Sequence, residues 1–285
     1  MSDPLAAAHA CAPEIDDVGR TAFVTAQWRL EESRRPDRLF DDSLAACFLD
    51  RSTEQLAAAL AAVLPEAPRM IVLRTRYVDD RLAERRRDVA QVVVLGAGFD
   101  TRRHRCDTGD AAWFELDRAP VLAFKAARLR KHGLTRRAAY LACDYAQEDF
   151  VERLLQRGLD PALQTLILWE GNTFFLPLDE VVLVLLRLCR RLRRFDVVFD
   201  AMSDQVIARS TGDARVTAFA EAYSRLGAGF VSGLADVHAF ARDLQLDVVD
   251  HQTASDLAWR HPAAGASGLR LFDHYFLTTL GWTAP

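Results

Sequence analysis

The chain has 285 residues, of which half are hydrophobic and 27% are charged, and its formal net charge is −4. A chain of this kind buries a sizeable core in one large domain, or in a domain with an appended subdomain. The negative charge disfavours the many phosphate contacts of nucleic-acid-binding proteins. The longest apolar run, Val181 to Leu186, is far shorter than the roughly 18 residues of a membrane span. We therefore expect neither nucleic acid nor a membrane as a partner.

Cysteine spacing and the first residues bear on the cellular setting. The five cysteines are scattered without a CxxC pair, so neither a disulfide framework nor a metal site is predicted. Residues 1–17 carry early acids and lack the basic start and apolar stretch of a signal peptide. We expect them to form a disordered lead on a soluble, cytoplasmic protein.

Residues 1–88 are predicted to form an N-terminal helical cap. Leu56 to Leu64 is rich in alanine, and Met70 to Arg87 mixes apolar and charged residues at helical spacing. No strand-like alternation interrupts residues 20–87.

Residues 89–285 are predicted to form a Rossmann-like core, because short apolar runs alternate with helix-like segments. The first run, Gln91 to Leu95, is followed at once by a glycine turn, as is typical of a buried parallel strand. The further predicted strands are Ala112–Leu116, Ala139–Ala142, Thr165–Trp169, Asp196–Asp200 and Leu246–Asp250. The predicted helices between them are Pro120–His132, Glu148–Arg157, Leu178–Arg193 and Ala235–Leu244. This alternation predicts an α/β fold with a doubly wound sheet.

Residues 203–233 depart from the alternation as a polar, helix-prone insertion that ends in LGAGFVSG. Open α/β sheets bind ligands outside the carboxyl ends of their strands. The insertion follows such an end, so both it and the N-terminal cap are candidate lids over the site. Ordinary surface helices are the equally weighted alternative.

The stretch VVVLGAGFDTRR supplies a glycine-rich turn after the first strand. Gly96 and Gly98, on either side of Ala97, have no Cβ and so let a ligand approach the backbone closely. A dinucleotide fingerprint would have glycine or alanine in place of Thr101, and Asp100 puts a carboxylate where a pyrophosphate would lie. Both differences disfavour NAD as the ligand.

Acids follow three successive predicted strands, at the edge where the carboxyl ends of a parallel sheet meet. Asp117 suits both hydroxyls of a ribose, a feature that sites for NAD and for S-adenosylmethionine share. Asp144 offers an acceptor for the adenine amino group beside the aromatic face of Tyr145, and Glu170 completes the row. These groups match the cationic, phosphate-free S-adenosylmethionine better than a dinucleotide. For each acid alone, capping a helix is the alternative role.

Taken together, the motifs resemble the leucine carboxyl methyltransferase family, which includes bacterial O-methyltransferases of polyketide and other secondary metabolism. The resemblance covers most of the chain. The segments that carry it are RTAFVTAQWRLEESRRPDRLFDDSLA, LRTRYVDD, VVVLGAGFDTR, WFELDRAP, ACDY, LWEGNTFFLP and DHYFLTTLGW.

This resemblance implies a class I methyltransferase fold, with S-adenosylmethionine as the cofactor and S-adenosylhomocysteine as its product. By position, Arg74 would contact the cofactor carboxylate and Glu170 would face its amino group. The glycine turn would lie beneath the methionine part. Asp117 would bind the ribose, and Asp144 and Tyr145 would frame the adenine.

The substrate side departs from the family pattern. Phe175 stands where the family stretch E-G-x-x-x-Y-L-P has a tyrosine, so a hydroxyl is missing, and Ser43 replaces a proline in the cap. Phe175 and Asn172 are predicted to line the substrate pocket. Arginines of the cap are candidate partners for a substrate carboxylate, namely Arg29, Arg34, Arg35 and Arg38.

The predicted function is methylation of a carboxylate on a small molecule, with a secondary metabolite as the expected substrate. In-line methyl transfer requires alignment and exclusion of water, and a carboxylate needs no base. The first alternative is a hydroxyl O-methyltransferase on a polyketide-like or phenolic substrate, whose proton a nearby histidine or carboxylate would remove. The unranked histidine candidates are His104, His238, His251 and His274. Further alternatives are a nicotinamide-dependent oxidoreductase, a non-catalytic relative, and methylation of a protein C-terminus. No catalytic residue or oligomeric state is assigned.

Overall fold

A computed structural model of the chain describes residues 17–135, 137–261 and 273–284. The predicted disordered lead lies outside these ranges apart from Asp17. Seven strands form one sheet. In chain order they are β1 (Gln91–Leu95), β2 (Ala112–Asp117), β3 (Ala139–Ala142), β4 (Thr165–Trp169), β5 (Arg194–Met202), β6 (Asp247–Thr253) and β7 (Tyr275–Thr283).

The strand order in the sheet is β3-β2-β1-β4-β5-β7-β6. The first five strands of this order are parallel. Strands β2 and β3 are added on one side of β1, and β4 and β5 are added on its other side, so the strand order switches between β1 and β4. This arrangement confirms the predicted doubly wound α/β fold. The predicted strands β1, β3 and β4 have the bounds expected from the sequence, whereas β5 extends beyond both of its predicted ends.

Strand β7 is missing from the sequence-based prediction, which took its residues only as a motif. It pairs antiparallel with β5 through Arg194↔Thr283 to Met202↔Tyr275, and antiparallel with β6 on its other side. The predicted last strand, Leu246–Asp250, is therefore the sheet edge and begins later, at Asp247. A strand inserted between two others is decided by long-range pairing, so local pattern does not reveal it.

Helices surround the sheet on both faces. They are α1 (Asp17–Ser33), α2 (Arg51–Val63), α3 (Ala67–Arg85), α4 (Arg102–Arg105), α5 (Ala119–Lys131), α6 (Phe150–Gln156), α7 (Leu178–Arg191), α8 (Asp204–Ile207), α9 (Ala214–Arg225), α10 (Val237–Asp243) and α11 (Ala254–Arg260). Two 3₁₀ helices, Ser43–Phe48 and Thr173–Phe175, complete the described elements.

Two helices begin later than the sequence suggests because an aspartate caps them. The side chain of Asp149 accepts from the backbone N–H of Glu152 at the start of α6. Asp236 likewise accepts from the backbone N–H groups of His238 and Ala239 at the start of α10. Such caps satisfy backbone donors that the first turn leaves free, so the predicted starts at Glu148 and Ala235 are each two residues early.

The sheet separates two apolar cores, and β1 shows why. Val92 and Val94 pack into the core that also holds α2, α3 and α9, whereas Val93 and Leu95 pack against α6, α7 and α10. Successive strand residues point to opposite faces, so an unbroken apolar run is what a strand covered on both faces requires.

The predicted cap contributes α1, α2 and α3, which share the first core with the sheet and with α9 of the insertion. The boundary at residue 88 stays a prediction. Within the described ranges, no single helix is both long and apolar enough to span a membrane, and α2 with α3 reaches that length and hydropathy only across a bend of 107°.

Candidate active site

A cavity of about 1410 Å³, counting the space open to solvent at its mouth, lies at the carboxyl ends of β1 to β4. One side, the sheet-edge half, is formed by the glycine turn after β1 and by acids that follow the strands: Asp100, Asp117, Asp144 and Glu170. The other side, the aromatic chamber, is formed by Phe174, Phe175, Phe219, Tyr223 and Phe230. The cavity therefore joins a polar and an apolar region.

The glycine turn has the backbone that its sequence predicts. Gly96 and Gly98 have positive φ values of 63° and 42°, which glycine adopts without a steric penalty. A Cβ on Gly96 would overlap the side-chain amide of Asn172. That amide donates to the backbone oxygens of Gly96 at 3.3 Å and Glu170 at 2.6 Å, so Asn172 ties the turns after β1 and β4 together. Gly96, Ala97, Gly98 and Asn172 all line the cavity.

Asp117 ends β2 and fastens the glycine turn from the side. Its Oδ2 accepts from the backbone N–H of Gly98 at 2.7 Å, and its Oδ1 accepts from the backbone N–H of Arg118 at 2.7 Å. Burial raises the pKa of Asp117 and outweighs the lowering by these hydrogen bonds. Each carboxylate oxygen has a second lone pair, so the two oxygens retain capacity for a ligand.

Asp144 and Tyr145 lie side by side after β3, and both line the cavity. Asp144 is exposed, and its Oδ1 accepts from the backbone N–H of Ala146 at 3.1 Å. The Tyr145 hydroxyl accepts from the indole N–H of Trp169 at 3.2 Å, which fixes the buried ring. The structure thus places the exposed carboxylate of Asp144 next to the hydrogen-bonded ring of Tyr145 in the wall of the cavity.

Arg74 and Glu170, predicted separately, form a buried ion pair. Arg74 comes from α3, and its Nε donates to Oε1 of Glu170 at 2.7 Å. Its Nη1 lies 3.2 Å from Oδ2 of Asp200 and 3.1 Å from the hydroxyl of Tyr275. Among the described residues, nothing accepts a hydrogen bond from Nη2 of Arg74. Because Arg74 lines the cavity, this donor remains for a ligand.

A second arginine, Arg102, also pairs with Glu170 and was not among the residues predicted from the sequence. Nη1 of Arg102 lies 2.7 Å from Oε2 of Glu170 and 2.5 Å from Oδ2 of Asp100. Burial raises the pKa of Glu170, but the charges of Arg102 and Arg74 outweigh it and lower the pKa to about 2. The carboxylate is therefore ionised at neutral pH. Arg102 belongs to the quoted GFDTR motif, so its signal was present in the sequence.

The ionic network continues from the cavity into the cap. Nε of Arg102 lies 2.7 Å from Oδ1 of Asp79 on α3, and Asp79 also binds Arg105 at 2.7 Å. Asp42 of the cap, fully buried, pairs with Nε of Arg29 at 3.2 Å. Buried charges are stable only when paired and hydrogen-bonded. The cap is therefore held to the glycine loop by charge as well as by apolar packing.

Arg29 lines the cavity, but its guanidinium is engaged within the protein. Nη2 donates to the backbone oxygen of Phe99 at 2.8 Å, and Nε pairs with Asp42. Arg34, Arg35 and Arg38 lie outside the cavity lining. Arg35 pairs with Asp37 at 2.9 Å, and Arg38 pairs with Asp41 at 3.6 Å. The structure does not bring these three side chains to the cavity, because they face solvent.

No histidine of the described residues lines the cavity. His251 bonds Thr278 through Nδ1 at 3.0 Å and packs against His238 with ring centroids 5.7 Å apart. His104 and His274 are likewise absent from the lining. The candidate histidine bases for a hydroxyl substrate are therefore not brought to the site. Within the described ranges, no group of three or more His, Cys, Asp or Glu side chains is arranged to hold a metal ion.

The aromatic chamber was only partly expected. Phe175 lies in the lining as predicted, and its ring packs against Phe174 at 4.7 Å and Phe230 at 5.7 Å between centroids. Phe219 and Tyr223 come from α9, which places the predicted insertion over the cavity. Aromatic residues in a non-periodic insertion carry no signal that assigns them to a pocket.

The family model for leucine carboxyl methyltransferase matches residues 22–189, more than half of the chain. A curated relative from Parafrankia sp. is 37% identical over 173 residues, which are 57% of this chain and 56% of that protein. One from Streptomyces avermitilis is 34% identical over 191 residues, which are 60% of this chain and 64% of that protein. Both names, still provisional, describe an S-adenosyl-L-methionine-dependent methyltransferase. The chain spans less than two thirds of the length of these relatives.

Solved structures share the fold at low sequence identity. A DUF574-family protein from Streptomyces avermitilis has a TM-score of 0.63 and 15% identity, over 91% of this chain and 97% of its own. A protein from Thermobifida fusca, provisionally called a methyltransferase, has a TM-score of 0.60 and 14% identity, over 84% of this chain and 90% of its own. The family match covers every residue predicted to bind the cofactor. This chain therefore belongs to the leucine carboxyl methyltransferase family.

Proposed function

We propose that this protein is an S-adenosylmethionine-dependent O-methyltransferase that methylates a carboxylate of a small, hydrophobic organic acid. One observation carries the proposal: a single cavity joins an acid-lined sheet edge to an aromatic chamber, and its described lining contains no histidine. The family assignment and the names of the relatives support methyl transfer. A cytoplasmic location and a role in secondary metabolism belong to the same proposal.

The sheet-edge half fits the chemical groups of the cofactor. Asp117 has acceptor capacity for two ribose hydroxyls, and exposed Asp144 offers an acceptor for the adenine amino group. Nη2 of Arg74 is a donor for the cofactor carboxylate. Glu170 stays ionised between two arginines, and in this proposal its remaining lone pairs face the amino group. Together these groups bind a cation-bearing, phosphate-free ligand.

The cofactor supplies a methyl group on a positively charged sulfur. Methyl transfer would form one C–O bond on the carboxylate and would break one C–S bond, whose electron pair would stay on sulfur. A carboxylate is ionised at neutral pH, so no proton has to be removed. The protein contributes alignment of the two reactants and exclusion of water from the apolar chamber.

A hydroxyl acceptor would require a base at the chamber. The described lining includes five carboxylates. Asp100 and Glu170 are bound by Arg102, and a base in such ion pairs is weak. Asp117 and Asp144 are assigned in this proposal to the cofactor, and Glu180 accepts from Gln147 at 2.7 Å. The geometry thus favours the carboxylate over the hydroxyl acceptor. The nicotinamide-dependent alternative is disfavoured by the family match and by the carboxylate of Asp100, which lies where a pyrophosphate would have to bind.

Two measurements test the proposal. Calorimetry should show binding of S-adenosylhomocysteine and none of NAD or NADP, and the reverse result would refute the cofactor assignment. Transfer of labelled methyl groups to organic acids should then give products that mild alkali hydrolyses, because esters are cleaved and ethers are not. Label that survives alkali would identify a hydroxyl acceptor. A protein C-terminus as acceptor would appear as label on added polypeptide instead.

A further inference from the structure

Tyr223 is a buried tyrosine of α9 whose hydroxyl belongs to the cavity. The residue is 5% exposed and lines the chamber. Its ring packs in a triangle with two phenylalanines, with centroids 4.8 Å from Phe219 and 5.1 Å from Phe230, which are themselves 6.4 Å apart. The ring is thus held in an aromatic cluster, and its hydroxyl is the polar group of this wall.

The Tyr223 hydroxyl makes no hydrogen bond to any described residue, unlike the other buried tyrosines. Tyr77 bonds Thr279 at 2.9 Å, Tyr145 accepts from Trp169, and Tyr275 donates to Asp200. Buried polar groups normally have partners, because leaving one unpaired costs about 1–3 kcal/mol. The Tyr223 hydroxyl is not among the fully buried unpaired atoms of the described residues, so it opens onto the cavity and is available to donate to a ligand there.

The hydroxyl is a donor rather than a base. Burial raises the pKa of Tyr223 to about 12, against the opposing charge of Arg74. A neutral phenol in apolar surroundings bonds a carboxylate oxygen strongly, since hydrogen bonds with one ionised partner are shorter and stronger than neutral ones. Its pKa is far from neutral pH, so it does not act as the base that a hydroxyl substrate would need.

We propose that Tyr223 is a specificity-determining residue that donates a hydrogen bond to one oxygen of the substrate carboxylate, and that the substrate is an aromatic or similarly flat apolar acid. This inference rests on the proposed function. The bond would hold one oxygen and leave the other free to accept the methyl group. The surrounding rings of Phe174, Phe175 and Phe230 suit a flat apolar body, because aromatic pairs favour stacked and edge-on contacts.

The test compares wild-type protein with Tyr223→Phe, each saturated with S-adenosylhomocysteine. The probes are cinnamate, 2-naphthoate and biphenyl-4-carboxylate, and the tightest is paired with its hydrocarbon counterpart that has methyl in place of carboxylate. We expect wild-type protein to bind at least one acid, and Tyr223→Phe to weaken that binding by about 10- to 100-fold, as expected for a lost charged hydrogen bond. Binding of the hydrocarbon should change less than twofold.

Tyr140→Phe is the matched control, since it removes a hydroxyl from a residue outside the cavity lining, and it should leave acid binding unchanged. Equal affinity of Tyr223→Phe and wild type for the acid would overturn the role of Tyr223. Failure of every acid to bind the loaded wild-type protein would overturn the substrate class. Failure of S-adenosylhomocysteine itself to bind would instead refute the proposed function, so the two failures are distinguishable.

Discussion

The two halves of the cavity are built in different ways. The sheet-edge half takes its polar groups from the ends of successive strands, and hydrogen bonds and ion pairs fix them, as with Asp117 on Gly98 at 2.7 Å and Glu170 on Arg74 at 2.7 Å. The aromatic chamber takes its residues from the turn after β4 and from the insertion, and ring packing holds them, as with Phe175 and Phe230.

This difference suggests a division of labour between the halves. A cofactor with fixed functional groups is matched by a rigid polar frame, whereas acceptor identity can vary with apolar residues on loops and an added helix. Changes in the sheet-edge half should therefore affect cofactor binding and stability together. Changes in the chamber should affect the acceptor alone.

The largest effect is expected for Arg74→Met, which leaves Asp200 without its buried cation and Glu170 with Arg102 alone. Breaking a buried ion pair on one side typically costs about 3–5 kcal/mol, so the free energy of unfolding in urea should fall by that order. Affinity for S-adenosylhomocysteine should fall as well. Arg153→Met, which removes an exposed pair with Glu148 at 2.6 Å, is the matched control and should change stability by less than about 1 kcal/mol. Equal effects of the two variants would contradict the structural importance of the network.

A pH effect follows from Glu170, whose pKa is lowered from 4.5 to about 2 in the folded protein. A carboxylate with a lowered pKa stabilises the fold above its unfolded pKa, and this contribution is lost as the pH falls from 4.5 towards 2. The shift corresponds to a contribution of about 3 kcal/mol. Glu170→Gln should therefore flatten the loss of unfolding free energy over that pH range.

Urea titrations at several pH values would measure this flattening. Glu152→Gln is the control, because Glu152 is an exposed carboxylate paired with Arg191 at 3.0 Å, and it should leave the slope nearly unchanged. If the unfolding free energy of Glu170→Gln fell with pH as steeply as that of the wild type, this would contradict the conclusion that the two arginines lower the pKa of Glu170.

Asp117→Ala should weaken binding of S-adenosylhomocysteine by about 30- to 100-fold. The change removes two backbone hydrogen bonds of 2.7 Å together with the proposed ribose acceptor, and each such bond to a charged group is worth about 1.5–3 kcal/mol. Asp117→Asn, which keeps one acceptor oxygen, should give an intermediate affinity by calorimetry. Unchanged affinity in Asp117→Ala would remove Asp117 from the cofactor site.

Phe230→Ala should have the smallest effect and should act on the acceptor alone. Its ring contacts Phe174, Phe175 and Tyr223 within 5.7 Å between centroids, and a lost aromatic pair is worth about 0.5–1.5 kcal/mol beyond area burial. We expect about tenfold weaker binding of the acid probe with unchanged affinity for S-adenosylhomocysteine. Val231→Ala alters the neighbouring exposed side chain and serves as the control. A parallel loss of cofactor affinity in Phe230→Ala would break the division between the halves.

The sequence reveals the parallel part of the sheet well, because β1 to β4 are short apolar runs that end in glycine or acids. Their carboxyl ends meet at one edge, so Asp117, Asp144 and Glu170 are brought together as predicted. Strand β7 was missed because its place between β5 and β6 depends on antiparallel pairing across the sheet. Local periodicity contains no information about such a partner.

By itself, then, the sequence determined the strand ends, the glycine turn and the family, since these depend on residue type and spacing along the chain. The tertiary structure decided which charges pair and which rings enclose the acceptor side. Arg102 pairs with Glu170, and Asp200 pairs with Arg74, although the partners lie on different elements. Tyr223 contacts Phe230 because α9 packs over the chamber. Contacts between distant segments arise only when the fold brings them together, so pattern along the chain does not specify them.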